Sequence, residues 1–229
     1  MSEKSTRHAH HARKVILGAT VLLVVGGLAA AGTSQNWFSG IRPAAADAPA
    51  NDQLLTAGPL GEEAQGRSDA PVTVIEYSSM TCPHCANFDV NVYPILKSKY
   101  IDTGKVRYIM REFPLDPLAA AGFLLARCAG DDKYFSVIDD LFRHQSDWVV
   151  QKPLVPLLKI AKQMGFTEQS FNACLANQKL IDGIEWVRKR AAEKFGVDST
   201  PTFFINGKIY RGDMTAEELE TALQAPAEG

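Results

Sequence analysis

The sequence Cys82-Pro83-His84-Cys85 lies where a predicted strand ends and a predicted helix begins, and this constrains the fold more than any other feature. Val72 to Tyr77 is a short, mostly β-branched run that predicts a buried strand. Pro83 suits the first position of a helix, because the N–H that proline lacks would be unpaired there in any case. Two cysteines at i and i+3 across a helix N-terminus can close a tight disulfide.

A second strand and a block of helices follow the motif. Pro94 is expected to kink the first helix, and Val106 to Glu112 predicts a strand. Strand, helix and strand in this order imply a parallel pair with a right-handed crossover. Residues 116–195 are helical in period throughout, and Trp186 is expected in their core. Breaks in the pattern divide this block into predicted helices near 117–129, 133–144, 154–164, 167–177 and 179–195.

The chain ends in a predicted hairpin and helix. Thr202–Ile205 and Lys208–Tyr210 flank Asn206-Gly207, which is typical of a type I′ turn. Thr215 and Glu218 form a capping box that predicts a last helix to about Leu223. The fold class predicted from this order is α/β, with a helical block inserted between the two halves of a small mixed sheet.

The N-terminal region is expected to contain an export signal or membrane anchor, followed by a tether. Residues 3–14 are polar and basic, and Val15 to Gly32 is an uncharged, mostly apolar run of 18 residues. This order is typical of an export signal, and the run is just long enough to span a bilayer. A cleaved signal and an uncleaved anchor both stay open, since the alanine-rich sites at 29–31 and 44–46 are not ideally placed for cleavage. Residues 33–59 predict a tether, because they are rich in Ala, Pro, Gly and Asp without a sustained period.

The CPHC sequence has the chemistry of a redox-active pair. A Cys82 thiolate would face unpaired backbone N–H groups and the positive end of the helix dipole, which lower the pKa of a thiol. His84 would add a hydrogen-bond donor, or a positive charge when protonated. Stabilising the thiolate stabilises the reduced form, which makes the disulfide a stronger oxidant. Export matters here because cysteine pairs oxidise outside the cytoplasm.

Other uses of these cysteines fit less well. A structural zinc site needs four ligands, usually from two CxxC knuckles, and this chain has one. A purely structural disulfide across so short a loop would constrain little chain entropy. We therefore predict no metal and no cofactor. The net charge of −2 does not favour nucleic-acid binding.

A wider pattern carries a resemblance. CPHC after an apolar strand, a kinked helix, a helical insertion and Thr200-Pro201 before a hairpin resemble the DsbA family of exported thiol-disulfide oxidoreductases, over roughly residues 60–225. The resemblance implies a thioredoxin-like mixed sheet with an inserted all-helical subdomain. The expected boundaries are 1–32 for the signal or anchor, 33–59 for the tether, 60–115 for the first half of the thioredoxin-like domain, 116–195 for the helical insertion and 196–229 for the second half.

The resemblance also implies roles for single residues. Cys82 resembles the exposed nucleophile that forms a mixed disulfide with substrate, and Cys85 resembles the buried resolving cysteine. Thr200-Pro201 resembles the cis-proline loop, which lies against the disulfide and binds extended substrate backbone. Glu76 resembles a buried acid that tunes proton transfer to the buried cysteine, a role that a raised pKa would suit. The alternative for Glu76 is a solvated side chain facing the edge of the sheet.

Cys128 and Cys174 lie on two different predicted helices of the insertion. Four cysteines allow three connectivities, and pairing within CPHC leaves these two for each other. The pair resembles that of a DsbA-like subset. A structural disulfide is the main interpretation, and a second redox pair that modulates the first is the alternative.

The expected function is that of a periplasmic oxidase. It would introduce disulfide bonds into unfolded exported proteins and be re-oxidised by a quinone-linked membrane partner of the DsbB type. The protein would be either free in the periplasm or tethered to the inner membrane through residues 15–32. A disulfide isomerase or reductase kept reduced by a membrane donor is one alternative, since Thr200 also resembles isomerase-type relatives. A non-enzymatic envelope chaperone or interaction module is another, although it would not need an intact CPHC.

Overall fold

The central sheet is the frame on which the motif is mounted. A computed structural model describes residues 51–225. In this part of the chain the strands are β1 (Glu63–Gln65), β2 (Val72–Ser78), β3 (Val106–Glu112), β4 (Thr202–Ile205) and β5 (Lys208–Arg211). They form one mixed sheet in the order β1-β3-β2-β4-β5, in which β2 and β3 are parallel and the other pairs are antiparallel. The predicted α/β class and the parallel pair are confirmed.

Helices cover both faces of this sheet. The described helices are α1 (Asn51–Leu54), α2 (Pro83–Asn91), α3 (Tyr93–Leu96), α4 (Pro117–Ala129), α5 (Asp131–Arg143), α6 (Gln145–Trp148), α7 (Leu154–Gln163), α8 (Glu168–Leu175), α9 (Gln178–Phe195) and α10 (Ala216–Gln224), with a π-helical turn at Lys97–Ile101. Side chains alternate between faces along a strand. Ile75 and Tyr77 of β2 therefore pack with α9 on one face, while Val74 belongs to the larger core on the other face.

The helix that follows the motif is broken where the sequence predicts a kink. The first segment, α2, ends at Asn91, and a new segment starts at Tyr93. Pro94 has no N–H to donate to the preceding turn, and its ring excludes the carbonyl of Val90 from a regular helix. The helix is therefore interrupted at Val92 before the chain reaches β3.

The helical insertion lies between β3 and β4, and it contains one short helix that the sequence pattern does not reveal. Four of the five predicted helices begin within one residue of their predicted start. Three of these four have an N-cap side chain that accepts a hydrogen bond from the first helical turn, namely Asp116, Thr167 and Asn177; Asp116 accepts from Ala119 N at 2.8 Å. The helix expected at 133–144 instead begins at Asp131, directly after Gly130 with φ 87°. The short helix α6 has only four residues, which is too few to show a period.

The segment before β1 packs on the fold. Leu54 is 1% exposed, and Arg190 of α9 donates hydrogen bonds to Gln53 O at 2.7 Å and Thr56 O at 3.1 Å. The last part of the expected tether, residues 51–59, therefore packs against α9. Leu54 is buried among apolar side chains of this helix, and Arg190 binds two backbone carbonyl groups of the segment. The rest of the tether and the predicted signal or anchor at 1–32 lie outside the described residues. Within residues 51–225 the structure has no helix with both the length and the apolar character that crossing a bilayer requires.

The expectation that Trp186 is a core residue is wrong. Trp186 is 44% exposed, and the Arg190 guanidinium lies 5.2 Å from the centroid of its ring. The buried stripe of α9 runs instead through Ile184, Val187 and Ala191, at spacings of three and four residues. Trp186 lies to the side of this stripe, and a helical period alone does not separate these positions.

Candidate active site

The motif occupies the connection between β2 and α2. Cys82 is the N-cap residue of α2 with an extended backbone (φ −79°, ψ 122°), and Pro83 is the first residue of the helix. The preceding turn is closed by Cys82 N, which donates to Ser79 O at 3.0 Å. The sulfur of Cys82 is therefore placed beside the free N–H groups of the first helical turn, as the sequence predicts.

The two cysteines of the motif differ little in exposure. Both are free thiols, so the structure describes the dithiol form. Cys85 is fully buried, and its sulfur accepts from Ser79 N at 3.5 Å. Cys82 is only 6% exposed, which corrects the expectation of an exposed nucleophile. The reason is a loop packed over it, since the Cys82 thiol lies 3.3 Å from the carbonyl oxygen of Thr200.

The environment drives the pKa values of the two thiols in opposite directions. A hydrogen bond from the Cys85 thiol is the largest influence that lowers the pKa of Cys82 to about 5, and the Thr200 hydroxyl and the backbone N–H groups of His84 and Cys85 add to it. Burial raises the pKa of Cys85, and the nearby charges of Cys82 and Glu76 raise it further. At neutral pH the dithiol form therefore carries one thiolate, on Cys82.

The loop over the motif contains a cis peptide bond between Thr200 and Pro201. This is the isomer that the family resemblance implies and that the sequence by itself does not reveal. Both residues are buried. The Thr200 hydroxyl has no hydrogen-bond partner among the described residues, so it is free to donate to a Cys82 thiolate.

Glu76 lies at the centre of the sheet. It is 1% exposed and pairs with Met110 of β3 on one side and Phe203 of β4 on the other, so the solvated alternative does not apply. Tyr108 Oη donates a hydrogen bond of 2.7 Å to its carboxylate. Burial raises the pKa of Glu76 to about 7, which makes it a group that can take up or release a proton near neutral pH.

His84 has a different position from the one that its place in the motif suggests. Its side chain is 68% exposed, and Nδ1 lies 3.8 Å from a carboxylate oxygen of Asp213. Asn87 donates to the same oxygen at 2.7 Å. The backbone N–H of His84 stabilises the thiolate, while its ring lies toward Asp213.

Sequence reasoning missed a buried acid on the motif helix. Asp89 is 4% exposed, its Oδ2 has no hydrogen-bond partner within residues 51–225, and burial raises its pKa to about 8. A signal was available, because Asp89 follows Cys85, which the family resemblance predicts to be buried, by four residues on the same predicted helix. Positions four apart on a helix share a face.

The other two cysteines are bonded to each other. Cys128 of α4 and Cys174 of α8 form a disulfide with a Cα–Cα distance of 6.1 Å. This bond joins two helices of the insertion and does not contact the motif. Within residues 51–225, no group of three or more His, Cys, Asp or Glu side chains is arranged to hold a metal ion.

Together these features define a thioredoxin-fold protein with a CxxC dithiol, a cis-proline loop and a buried acid on the central strand. A family model described as thioredoxin matches residues 60–225. The crystal structure of Wolbachia pipientis alpha-DsbA1 is 31% identical, covers 76% of this chain and 94% of its own, and has a TM-score of 0.70. BdbD from Bacillus subtilis, at 22% identity, covers 71% of this chain and 91% of its own with a TM-score of 0.62, and supports the fold.

The curated relatives agree. A Rickettsia bellii protein assigned as a protein-disulfide oxidoreductase is 38% identical over 148 residues, which are 62% of this chain and 56% of that protein. A Bacillus anthracis protein assigned as disulfide bond formation protein D is 29% identical and covers 66% of this chain and 73% of its own. The chain spans somewhat more than half the length of the rickettsial relatives it matches. The chain belongs to the DsbA family of thioredoxin-fold proteins.

Proposed function

We propose that this protein is a thiol-disulfide oxidoreductase that introduces disulfide bonds into exported proteins through Cys82 and Cys85. The observation that carries the proposal is the opposite tuning of the two thiols. The pKa of Cys82 is lowered to about 5 and that of Cys85 is raised. A stable Cys82 thiolate favours the reduced form, so the disulfide is a strong oxidant and gives its oxidising equivalents readily to a substrate dithiol.

The exchange of the disulfide between protein and substrate proceeds in two steps. A substrate thiolate attacks Cys82 Sγ of the disulfide, the Cys82–Cys85 bond breaks, and Cys85 leaves and takes up a proton because its pKa is high. The second substrate thiolate then attacks the substrate sulfur of the mixed disulfide, and Cys82 leaves as a stable thiolate. The substrate loses two electrons and becomes a disulfide, and the protein gains them and becomes the dithiol.

Nearby groups support this chemistry. Glu76 lies in the buried sheet beneath the motif and has a pKa of about 7, so it can supply or accept the proton that Cys85 exchanges. The backbone of the cis-proline loop lies 3.3 Å from Cys82 Sγ, at the carbonyl oxygen of Thr200. A substrate chain laid along this loop would bring its cysteine to Cys82.

The cellular setting follows from the same proposal. The substrates are unfolded exported proteins in the periplasm, and a quinone-linked membrane oxidase of the DsbB type takes the two electrons and restores the disulfide. The basic stretch at 3–14 and the apolar run at 15–32 support export, either as a cleaved signal or as an uncleaved anchor.

The glutathione redox equilibrium of Cys82 and Cys85 tests the proposal. The full chain, with Cys128–Cys174 oxidised, is equilibrated in glutathione buffers, and the free thiols are trapped by alkylation and counted by mass spectrometry. A reduction potential of about −120 mV, the value of DsbA, supports the oxidase. A reduction potential of about −270 mV, the value of thioredoxin, would favour a reductase or isomerase. A cysteine pair that does not exchange with glutathione would favour a non-enzymatic role.

A further inference from the structure

One side chain of the helical insertion bonds directly to the backbone of the motif. Gln145 Nε2 donates to Met80 O at 2.9 Å and to Cys82 O at 3.0 Å. These partners lie 65 and 63 residues away in the sequence. A single amide group thus spans the turn that ends at Cys82, and it comes from α6, the short helix that the sequence pattern does not reveal.

Gln145 is fixed by the packing of its own helix. Trp148, at the other end of α6, is fully buried, and its indole N–H donates to Leu141 O at 2.8 Å. Val149 N donates to Gln145 O at 2.9 Å and closes the helical turn. The backbone of Gln145 is therefore held by the core of the insertion, at a position from which its side chain reaches the motif.

The same turn is held at its other residues. Thr81 Oγ1 donates to Asp116 Oδ2 at 2.6 Å, where Asp116 is the N-cap of α4. A Cβ atom at Gly122 of α4 would lie 2.9 Å from Met80 Cγ, so the glycine allows α4 to approach the turn closely. These contacts fix Met80 and Thr81, whereas Gln145 is the insertion side chain that reaches the peptide group of Cys82 itself.

The bond to Cys82 O has an electrostatic consequence. This carbonyl oxygen carries partial negative charge close to the sulfur of the same residue, and negative charge there opposes a thiolate. It also accepts the first helical hydrogen bond of α2, from Ala86 N at 3.2 Å. The added donor offsets the charge of the oxygen and holds the N-cap geometry in which the sulfur faces the N–H groups of the helix.

We propose that Gln145 is a positioning residue that stabilises the Cys82 thiolate from the helical insertion by fixing the carbonyl group of Cys82. The inference rests on the proposed function and deepens it. The insertion then sets how oxidising the motif is, through a side chain outside the CxxC sequence and outside the cis-proline loop.

The test compares Gln145→Met and Gln145→Glu with Gln169→Met in the full chain. Gln169 is an exposed glutamine on α8 of the same insertion, so its variant controls for the substitution. We expect Gln145→Met to shift the glutathione equilibrium toward the protein disulfide by about threefold to tenfold, the size of one net hydrogen bond. The pH midpoint of Cys82 alkylation should rise in parallel, and Gln169→Met should match the wild type in both measurements.

Gln145→Glu tests the same role with a side chain of the opposite hydrogen-bonding character. Gln145→Glu has nearly the same shape but places a carboxylate beside two carbonyl oxygens, so its shift should equal or exceed that of Gln145→Met. Urea unfolding of the disulfide form reports stability separately. A Gln145 variant that folds and keeps the wild-type equilibrium and alkylation midpoint would overturn the role of Gln145. A wild-type chain that does not exchange with glutathione would instead overturn the proposed function itself.

Discussion

Tyr108 Oη donates a hydrogen bond of 2.7 Å to the carboxylate of Glu76 inside the sheet, between the two parallel strands. Both side chains are 1% exposed. The bond lowers the pKa of Glu76, but burial outweighs it and raises that pKa to about 7. The fold therefore keeps an acid near neutral pKa behind the motif and satisfies only part of its hydrogen-bonding capacity.

The burial of Glu76 predicts that the stability of the protein falls as the pH rises, and that Glu76→Gln reduces this dependence. The pKa of Glu76 is about 7 in the folded protein against 4.5 as the ordinary value, so between these limits the folded form binds a proton that the unfolded form lacks. Stability contributed by this group is full below about pH 4.5 and is lost as the pH rises to about 7. The loss is on the order of 3 kcal/mol, because one pKa unit equals about 1.4 kcal/mol.

The measurement is the free energy of unfolding in urea at pH 5 and pH 8. The fall in stability between these values should be smaller for Glu76→Gln than for the wild type, and the variant should be at least as stable at pH 8. Glu217→Gln, at an exposed position on α10, is the control and should follow the wild type. An identical pH dependence in Glu76→Gln and wild type would show that Glu76 is already ionised at pH 5.

The reactivity of Cys82 should titrate far below that of an ordinary thiol. Its pKa is lowered to about 5, first by the hydrogen bond from the Cys85 thiol. The rate of alkylation of the dithiol form by iodoacetamide should therefore have its midpoint near pH 5. Cys85 is fully buried and should react slowly over the same range.

Two substitutions at Cys85 separate its hydrogen bond from its bulk. Cys85→Ser keeps a donor, whereas Cys85→Ala removes it, so the alkylation midpoint of Cys82 should be higher in Cys85→Ala than in Cys85→Ser. Equal midpoints would mean that the helix N-terminus and Thr200 account for the low pKa without help from Cys85.

The same cysteines give a direct test of the roles in catalysis. Cys82→Ser should abolish oxidation of a reduced substrate protein, because no sulfur remains at the N-terminus of α2 to form the mixed disulfide. Cys85→Ser should accumulate covalent complexes with exported proteins: its Cys82 thiolate can attack a disulfide of such a protein and expel one of its thiolates, and no Cys85 thiol is present to resolve the mixed disulfide that forms. Non-reducing electrophoresis of cells expressing each variant distinguishes them. Oxidase activity in Cys82→Ser would show that Cys82 is not the nucleophile.

Much of this architecture could be predicted from the sequence because its signals are local. The strand before the motif, the proline at the helix start and the Asn206-Gly207 turn each act within a few residues. The short strand β1 has three residues, alternates weakly and forms only because β3 offers an edge to pair with. Nothing local to it distinguishes such a strand from a loop.

The parts of the site that could not be predicted depend on long-range contacts. Gln145 lies 63 residues from Cys82, and Asp213 comes to the ring of His84 from beyond the hairpin. The low exposure of Cys82 likewise results from Thr200, which is 118 residues away. Spacing along the chain carries no information on which polar side chain will meet the motif after folding.

The disulfide of the insertion should contribute to stability without changing the chemistry of the motif. It closes a loop with a sequence separation of 46 residues, for which the chain-entropy estimate is roughly 4 kcal/mol as an upper value. Replacing Cys128 and Cys174 with alanine should lower the free energy of unfolding by about 2–4 kcal/mol. The glutathione equilibrium of Cys82 and Cys85 should not change. A changed equilibrium would favour the alternative, in which this pair modulates the first.

A buried ion-pair cluster holds the insertion to the sheet. Arg127 of α4 donates to Glu112 of β3 at 2.5 Å and to Glu63 of β1 at 2.7 Å, and all three side chains are at most 7% exposed. Burial raises the pKa of Glu63 to about 7, and the charge of Arg127 opposes that rise. The short strand β1 is therefore linked to the insertion through one guanidinium group.

Arg127→Met should destabilise the protein by about 3–5 kcal/mol, because it leaves two buried carboxylates without a cation. Without Arg127 the pKa of Glu63 should rise further, so the loss should be larger at pH 8 than at pH 5, where protonation relieves the unpaired charge. Urea unfolding at both pH values measures this difference. Adding Glu63→Gln and Glu112→Gln to Arg127→Met should restore part of the stability and remove most of the pH dependence. If Arg127→Met alone is as stable as the wild type at pH 8, the cluster does not hold the insertion to the sheet.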